Sequence, residues 1–356
     1  MSAATPAITL RRAESSRVGQ VAGAREIGFS SIMSDHMLIA TYDDGRWIDA
    51  SIREFGPLEL LPNISALQYG LSVFEGLKAH RTVNGDVALF RPRANAIRLN
   101  RSAQRLAMPQ VPRDLFLDGL RELVRLDRAW VPPFDRGALY VRPCLFSVDP
   151  SVRVKAPDKC LFVILTFPFT RYYSGPIDLQ VSDKYVRAFP GGTGEIKPAG
   201  NYAPTLLAER EARESGFHSV LWLDGRTGSL VEECGVMNVF FVIGDAVVTP
   251  ALEGTILPGV TRDSAITVLR EMGLTVVERS ISIGEIFGAY EKGTLRECFG
   301  TGTAATVSGV RRIGFGSREI HFPPDRGGSI GSRLLERLTA IATGRVPDTH
   351  GWLDLV

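Results

Sequence analysis

The stretch CLFVILTFPF, residues 160 to 169, carries no charge and is rich in β-branched, aromatic and leucine side chains. It is too short to cross a bilayer as a helix, so it reads as a strand that must be covered by protein. GALYVRPCLFSV, 137 to 148, is a second apolar run rich in β-formers. Around these runs strand-like and helical patterns alternate. MLIATYDDGRWIDA, 37 to 50, reads as a hairpin with an Asp-Gly turn. VALFRPRANAIRLNRSAQRLAMP, 87 to 109, starts as a strand and turns at Pro92 into a helix whose Ala94, Ile97, Ala103 and Leu106 are expected to face the core. The second half runs strand, glycine-rich loop, helix, strand, hairpin, helix, strand. The alternation predicts a mixed α/β (α+β) fold.

A chain of 356 residues exceeds the usual single-domain size. The Ser-Gly-Pro in TRYYSGPIDLQ marks the best interdomain linker. The division expected is a mobile N-terminal arm over 1–28, a domain over 29–169, a linker over 170–182 and a second domain over 183–356. The arm is rich in small, polar and basic residues and lacks the apolar core of a secretory signal, so a cytoplasmic location is expected.

Forty-one basic against 39 acidic side chains give a formal net charge of +2, which supplies no broad attraction for nucleic acid or an anionic membrane. Neither is expected as a partner. The four cysteines are widely spaced without a CxxC pair, and the five histidines lack HxxxH spacing, so reduced thiols and no metal are expected.

Chemistry concentrates in GGTGEIKPAGNYAPTLLAER, 191 to 210. Gly191, Gly192, Gly194 and Gly200 frame Lys197, one of only six lysines in an arginine-rich chain. A lysine amine, unlike a guanidinium, can lose its proton and attack an aldehyde; glycines let the backbone approach a flat ring. A solvated loop lysine is the alternative. Asn201 and Pro204 suit a helix start, with Leu206, Leu207 and Ala208 as its apolar face and Gly216 as its stop, and Tyr202 could donate to a cofactor oxygen or simply pack in a core.

Two loops suit a phosphate. Pro258, Gly259, Val260 and Thr261 precede a helix expected over 263–272, whose N-terminus attracts anions. Gly300, Thr301, Gly302 and Thr303 add backbone and hydroxyl donors. Arg98, on the helix after Pro92, could complete the site or be an ordinary surface residue. A pyridine ring used as an electron sink needs a buried carboxylate at its nitrogen. Glu232 and Glu233 offer one, with strand alternation pointing them to opposite faces, one toward solvent and the other toward the site.

ALQYGLSVFEGLKAHR, LNRSAQRL, LYVRP, GGTGEIKPAGNYA, EECGVMN, ILPGVTRD, FGTGTA and the terminal HGWLDLV occur in this order and together resemble the branched-chain amino-acid aminotransferases. These are fold-type IV pyridoxal-phosphate enzymes. The resemblance runs from about Phe29 to the end. It implies a smaller N-terminal α/β domain, a larger C-terminal pseudo-barrel domain, pyridoxal 5'-phosphate between them and a homodimer. It further implies transamination of leucine, isoleucine and valine with 2-oxoglutarate, the substrates being small amino acids and 2-oxo acids.

By the same resemblance Lys197 is the Schiff-base lysine and proton shuttle, Tyr202 contacts the cofactor's phenolic oxygen and Glu233 pairs with its ring nitrogen. Arg98, Gly259, Val260, Thr261, Gly302 and Thr303 fall where the family holds the phosphate. Tyr140, Thr303 and Ala304 match the substrate-carboxylate site, Arg142 the arginine associated with the glutamate side chain, and Tyr69, Phe74 and Tyr173 the apolar wall of the pocket. Val236, where many members carry Thr or Gly, and Pro198, bulkier than the small residue often found there, depart from the pattern in positions that could shift substrate preference. The sequence also lacks the CxxC of mammalian members. Alternatives of the same fold type are D-amino-acid aminotransferases, amine transaminases and aminodeoxychorismate lyases. A specialised-metabolism aminotransferase for bulkier or non-protein amino acids and a cofactor-binding regulator without turnover are the other classes.

Overall fold

The computed structural model describes residues 5–325 and 327–356. The chain forms two compact units. The first comprises the described part of Met1–Tyr172 with Lys197–Gly200 and Ile341–Val356; the second comprises Tyr173–Ile196 and the described part of Asn201–Ala340.

In the first unit the apolar runs become strands β1 (Ile8–Leu10), β2 (His36–Asp43), β3 (Arg46–Glu54), β4 (Ser72–Phe74), β5 (Leu77–Arg81), β6 (Val87–Phe90), β7 (Ala138–Ser147) and β8 (Lys159–Phe169), with helices α1 (Ser65–Tyr69), α2 (Pro92–Arg105) and α3 (Arg113–Leu126). The C-terminal strand, β18 (Leu353–Leu355), completes one sheet in the order β1-β3-β2-β8-β7-β5-β6-β18, with β4 also on β7. β8 lies between β2 and β7, and Phe162 and Ile164 are fully buried, which explains why this segment carries no charge. The β2–β3 turn has positive φ at both Asp44 and Gly45, the geometry that an Asp-Gly hairpin supplies at least strain.

The helix after Pro92 is present, but its buried face is not the one the apolar residues suggest. Ile97 is 71% exposed and Ala94 and Leu106 are half-buried, whereas Asn95, Ala96, Arg98, Leu99, Ser102 and Ala103 face inward. Polar side chains with internal partners occupy core-facing positions, which hydrophobicity alone misreads.

The N-terminal arm is also more ordered than its composition suggests. Residues 1–4 lie outside the described residues, but Ile8–Leu10 pairs in parallel with Ala50–Ile52, and the Arg17 backbone N–H donates to Asp35 Oδ1 at 2.9 Å. Pairing with a distant strand, not local apolar content, orders it. At the other end, HGWLDLV returns to the first unit: β18 pairs antiparallel with β6, and Asp354 accepts from Arg121.

The second unit contains β9 (Ile177–Val181), β10 (Ser219–Leu223), β11 (Val231–Cys234), β12 (Met237–Ile243), β13 (Ala246–Thr249), β14 (Thr275–Glu278), β15 (Leu295–Gly302), β16 (Thr306–Phe315) and β17 (Arg318–His321). Its sheet runs β11-β10-β9-β16-β15-β12-β13-β14, and β11 also pairs with β12. That extra pairing closes a ring through β9, β10, β11, β12, β15 and β16, which is the barrel-like element. Leu179, Leu221, Val239, Phe241 and Ile313 belong to its core. β9 falls within the expected linker: the alternating IDLQV directly after Ser-Gly-Pro is sheet, not connection.

Helices α4 (Leu206–Glu214) and α5 (Val260–Glu271) stand where two helices were expected, with two differences, while α6 (Ile283–Glu291) and α7 (Ile330–Ala342) are additional to the expected pattern. α4 buries Ala208 and Ala212 against Val220 and Trp222 and leaves Leu206 and Leu207 exposed. α5 starts at Val260, three residues before Asp263. No helix among the described residues is long and apolar enough to cross a membrane. The four cysteines form no disulfide; burial pushes the Cys144 thiol up to about 11 and that of Cys160 up to about 12.

Candidate active site

In the first unit strand alternation puts Tyr140 and Arg142 on one face of β7, and Phe74 closes β4 beside them. The Arg142 guanidinium carbon lies 4.8 Å from the Phe74 ring centroid and 5.3 Å from that of Tyr140. Its Nη2 donates to the Tyr140 hydroxyl at 3.4 Å, while its Nε is buried with no hydrogen-bond partner. Among the described residues no carboxylate pairs with it. The Tyr140 hydroxyl occupies the space beside Gly76, where an added Cβ would lie 2.0 Å from that oxygen, so the glycine is needed for the tyrosine's position.

Lys197 joins this group. Its backbone N–H donates to Ser102 Oγ at 3.0 Å, its carbonyl accepts from the Phe74 N–H at 3.1 Å, and Pro198 forms a bridge with Val73. Its Nζ sits 4.6 Å from the Phe74 ring centroid. The bulk of Pro198 is thus accommodated as a buried partner of β4.

Arg98 is buried, which removes the surface alternative. Its Nε and Nη2 donate to the two oxygens of Glu75 at 2.7 and 2.8 Å, and Asn95 Nδ2 donates to the same carboxylate at 2.8 Å. Such a fork fixes the arginine's position. Tyr69 stands on α1, 50% exposed, with its hydroxyl on the Val152 carbonyl. Burial beside the same sheet lowers Lys78, the residue paired with Tyr140 across β5 and β7, to about 8.

In the second unit every residue of β11 is buried, so neither glutamate faces solvent as alternation alone suggested. Glu233 Oε1 accepts from the Leu257 N–H at 2.8 Å and lies 3.4 Å from Arg187 Nη2. Burial pushes Glu232 up to about 7, against a hydrogen bond from Thr255 and the nearby Arg187 charge, and its Oε2 has no partner.

The helix-leading loop is tightly built. Gly259 precedes α5, and a Cβ there would lie 2.1 Å from Asn238 Oδ1, while Asn238 Nδ2 donates to the Leu257 carbonyl at 2.9 Å. Val260 and Thr261, half-buried, form the first turn, where the helix dipole is positive. Gly302 packs on Met237, and half-buried Thr303 and Ala304 occupy the turn between β15 and β16. Tyr202 is half-buried at the start of a short 3-10 turn, its carbonyl accepting from Thr205 Oγ1 at 2.8 Å. Asn201 does not cap α4; it donates to the carbonyls of Thr193 and Ile196 and accepts from Thr193 Oγ1, holding the glycine loop. Tyr173 packs against the core of this unit, and Val236 is 47% exposed.

Glu75, Asn95, Ser102, Arg187 and Asn238 were not singled out by sequence reasoning. Glu75 had a signal in the VFEG block; Arg187 had none, as one arginine among many.

The model of the amino-transferase class IV family matches residues 72–313. The chain belongs to the class IV aminotransferases, within the branched-chain amino-acid aminotransferase group. It is 43% identical over 336 residues to a probable branched-chain-amino-acid aminotransferase of Staphylococcus aureus (strain N315), covering 93% of this chain and 94% of that one. The crystal structure of the Escherichia coli branched-chain amino acid aminotransferase aligns with a TM-score of 0.75 at 27% identity, covering 90% of this chain and 98% of that one. A second crystal structure, the T.th. branched-chain amino acid aminotransferase complexed with N-(5'-phosphopyridoxyl)-L-glutamate, aligns with a TM-score of 0.70 at 27% identity, covering 88% and 97%. The fold is that of the fold-type IV enzymes.

Proposed function

We propose that this protein transfers amino groups between branched-chain L-amino acids and 2-oxoglutarate, using pyridoxal 5'-phosphate. The residues fit that cofactor. Glu233 is a buried acid for a ring nitrogen, a helix N-terminus and the glycine loop at 302 are suited to a phosphate, and Lys197 is a half-buried amine held by its backbone on both sides. When bound, the cofactor serves as an electron sink for the bonds at the substrate α-carbon.

The chain's own groups have distinct tasks. Lys197 would hold the cofactor and, as a neutral amine, would carry the proton at the substrate α-carbon. Glu233 keeps the ring nitrogen protonated, and Tyr202 donates to the phenolic oxygen. Gly259, Val260, Thr261, Gly302 and Thr303 hold the phosphate. Arg98 adds its charge to that group from a position that the Glu75 fork fixes. Tyr140, Thr303 and Ala304 take the substrate carboxylate; Tyr69, Phe74 and Tyr173 form the apolar wall.

One observation carries the dual specificity: Arg142 is wedged between two aromatic rings with a buried, unpartnered Nε and no protein carboxylate among the described residues. The rings suit an isobutyl or isopropyl group, and the guanidinium suits the second carboxylate of glutamate. Arg142→Met should raise KM for 2-oxoglutarate about 10- to 100-fold, as expected for losing a charge-assisted bond of ~1.5–3 kcal/mol, and leave KM for leucine within about threefold. Equal losses for both substrates would remove this reading.

A homodimer in the cytoplasm belongs to the same proposal. Leu61, Leu67, Tyr69, Val152 and Val154, from two segments joined by the Ile64–Pro150 bridge and the Tyr69–Val152 bond, form an exposed apolar patch suited to a second copy. Four thiols without a disulfide suit a reducing compartment.

A further inference from the structure

Arg187 is the point where three parts of the second unit meet. Its Nη2 donates to the Gly194 carbonyl at 3.2 Å and to the Thr255 carbonyl, and lies 3.4 Å from Glu233 Oε1. Both charged side chains are almost fully enclosed, 7% and 5% exposed. The two loops approach so closely that a Cβ on Gly194 would lie 2.2 Å from the Thr255 carbonyl oxygen. The arginine is kept although its own Nε is buried without a partner, a cost that an apolar residue filling the same space would avoid.

We propose that Arg187 is a positioning residue of the cofactor site: it fixes the Glu233 carboxylate as an anion aimed at the cofactor ring nitrogen and ties it to the glycine loop 191–196. This rests on the cofactor assignment above. Leu257 N–H and Arg187 both serve the same oxygen, Oε1, which orients the carboxylate. The neighbouring Glu232 supplies the contrast. It is equally buried and lacks an arginine within salt-bridge distance, and burial pushes it up to about 7. Glu232 and the Cys234 thiol stand beside the Arg187–Glu233 pair. Arg187 stands within salt-bridge distance of Glu233 and not of Glu232, so its charge favours the ionised form of Glu233.

The test uses Arg187→Lys and Arg187→Gln in the full chain, with pyridoxal-phosphate affinity measured from pH 5.5 to 8.5 and the melting temperature of the cofactor-stripped protein. No amino-acid substrate enters, so a wrong substrate class leaves the result intact. Without the arginine, Glu233 keeps its proton to higher pH, and the protonated acid cannot pair with a protonated ring nitrogen. Relative to wild type, the variants should lose about tenfold more affinity at pH 6 than at pH 8, the factor expected once Glu233 holds its proton up to about 7, as Glu232 does without an arginine in contact. Arg187→Lys should recover the melting temperature more fully than the affinity profile, because an ammonium keeps a charge but not the planar guanidinium that reaches both carbonyls and the carboxylate. Variants with lowered melting temperature and the wild-type pH profile would reduce Arg187 to a staple between loops and overturn the proposal. If Arg187→Gln does not fold, the Arg187→Lys profile alone decides. Wild-type protein that binds no pyridoxal phosphate overturns the cofactor assignment and this proposal together.

Discussion

Glu232 and Glu233 are adjacent and equally buried but differently served: Glu233 accepts from the Leu257 N–H and lies beside Arg187, whereas Glu232 takes a hydrogen bond from Thr255. Glu232 holds its proton up to about 7 in the native state and only to its ordinary 4.5 when unfolded. The folded state therefore binds more protons between these values, and this group's contribution to stability falls as pH rises from 4.5 through 7. Glu232→Gln removes that titration. Thermal melts should show the variant and wild type close together below pH 4.5 and the variant increasingly more stable toward pH 8; parallel curves across the range would show that Glu232 ionises without penalty. At this scale the candidate residues were legible in the sequence, because lysine among glycines and paired glutamates in an apolar strand are chemically unusual. The partners were not: Glu75 on Arg98, Ser102 under Lys197 and Arg187 on Glu233 are contacts between residues distant in sequence.

The elements carry the site by close approach. Gly259 precedes α5 with ordinary dihedral angles, φ −66 and ψ 131, so conformation does not demand glycine there; space does. Gly259→Ala places a methyl on Asn238 Oδ1, and moving Asn238 releases the Leu257 carbonyl that it holds. The expected cost is about 1–3 kcal/mol of stability, with pyridoxal-phosphate affinity reduced about tenfold or more. Calorimetry and a cofactor titration check both, and a variant with unchanged affinity would free the α5 N-terminus of its assigned phosphate role. Strands with continuous apolar runs, such as β8, and the Asp-Gly hairpin were legible because composition and turn chemistry act locally. The inward face of α2 was not, since Asn95, Arg98 and Ser102 occupy core-facing positions by virtue of internal hydrogen bonds. β1 and β9 escaped for a related reason: each is short and is ordered by a strand far along the chain.

At the scale of the molecule the chain is folded back on itself, with residues 341–356 returning to the unit formed by the N-terminal half. No local signal marks that return; β18 forms because β6 offers an edge and Arg121 a partner for Asp354. The exposed patch around Leu67 and Val154 gives the assembly prediction: sedimentation should report twice the 38.9 kDa chain mass, and Leu67→Glu with Val154→Glu should shift it toward the monomer. A monomeric wild type would leave that patch without its assigned occupant. The central claim is the amino transfer itself, and its most direct test is the visible spectrum of the pyridoxal-phosphate-loaded protein on addition of L-leucine, beside D-leucine and Lys197→Ala. The account predicts that L-leucine rapidly removes the visible band of the loaded wild type, that D-leucine does so far more slowly and that Lys197→Ala lacks the wild-type band. A wild-type band indifferent to L-leucine, or a Lys197→Ala protein that matches wild type, would contradict it.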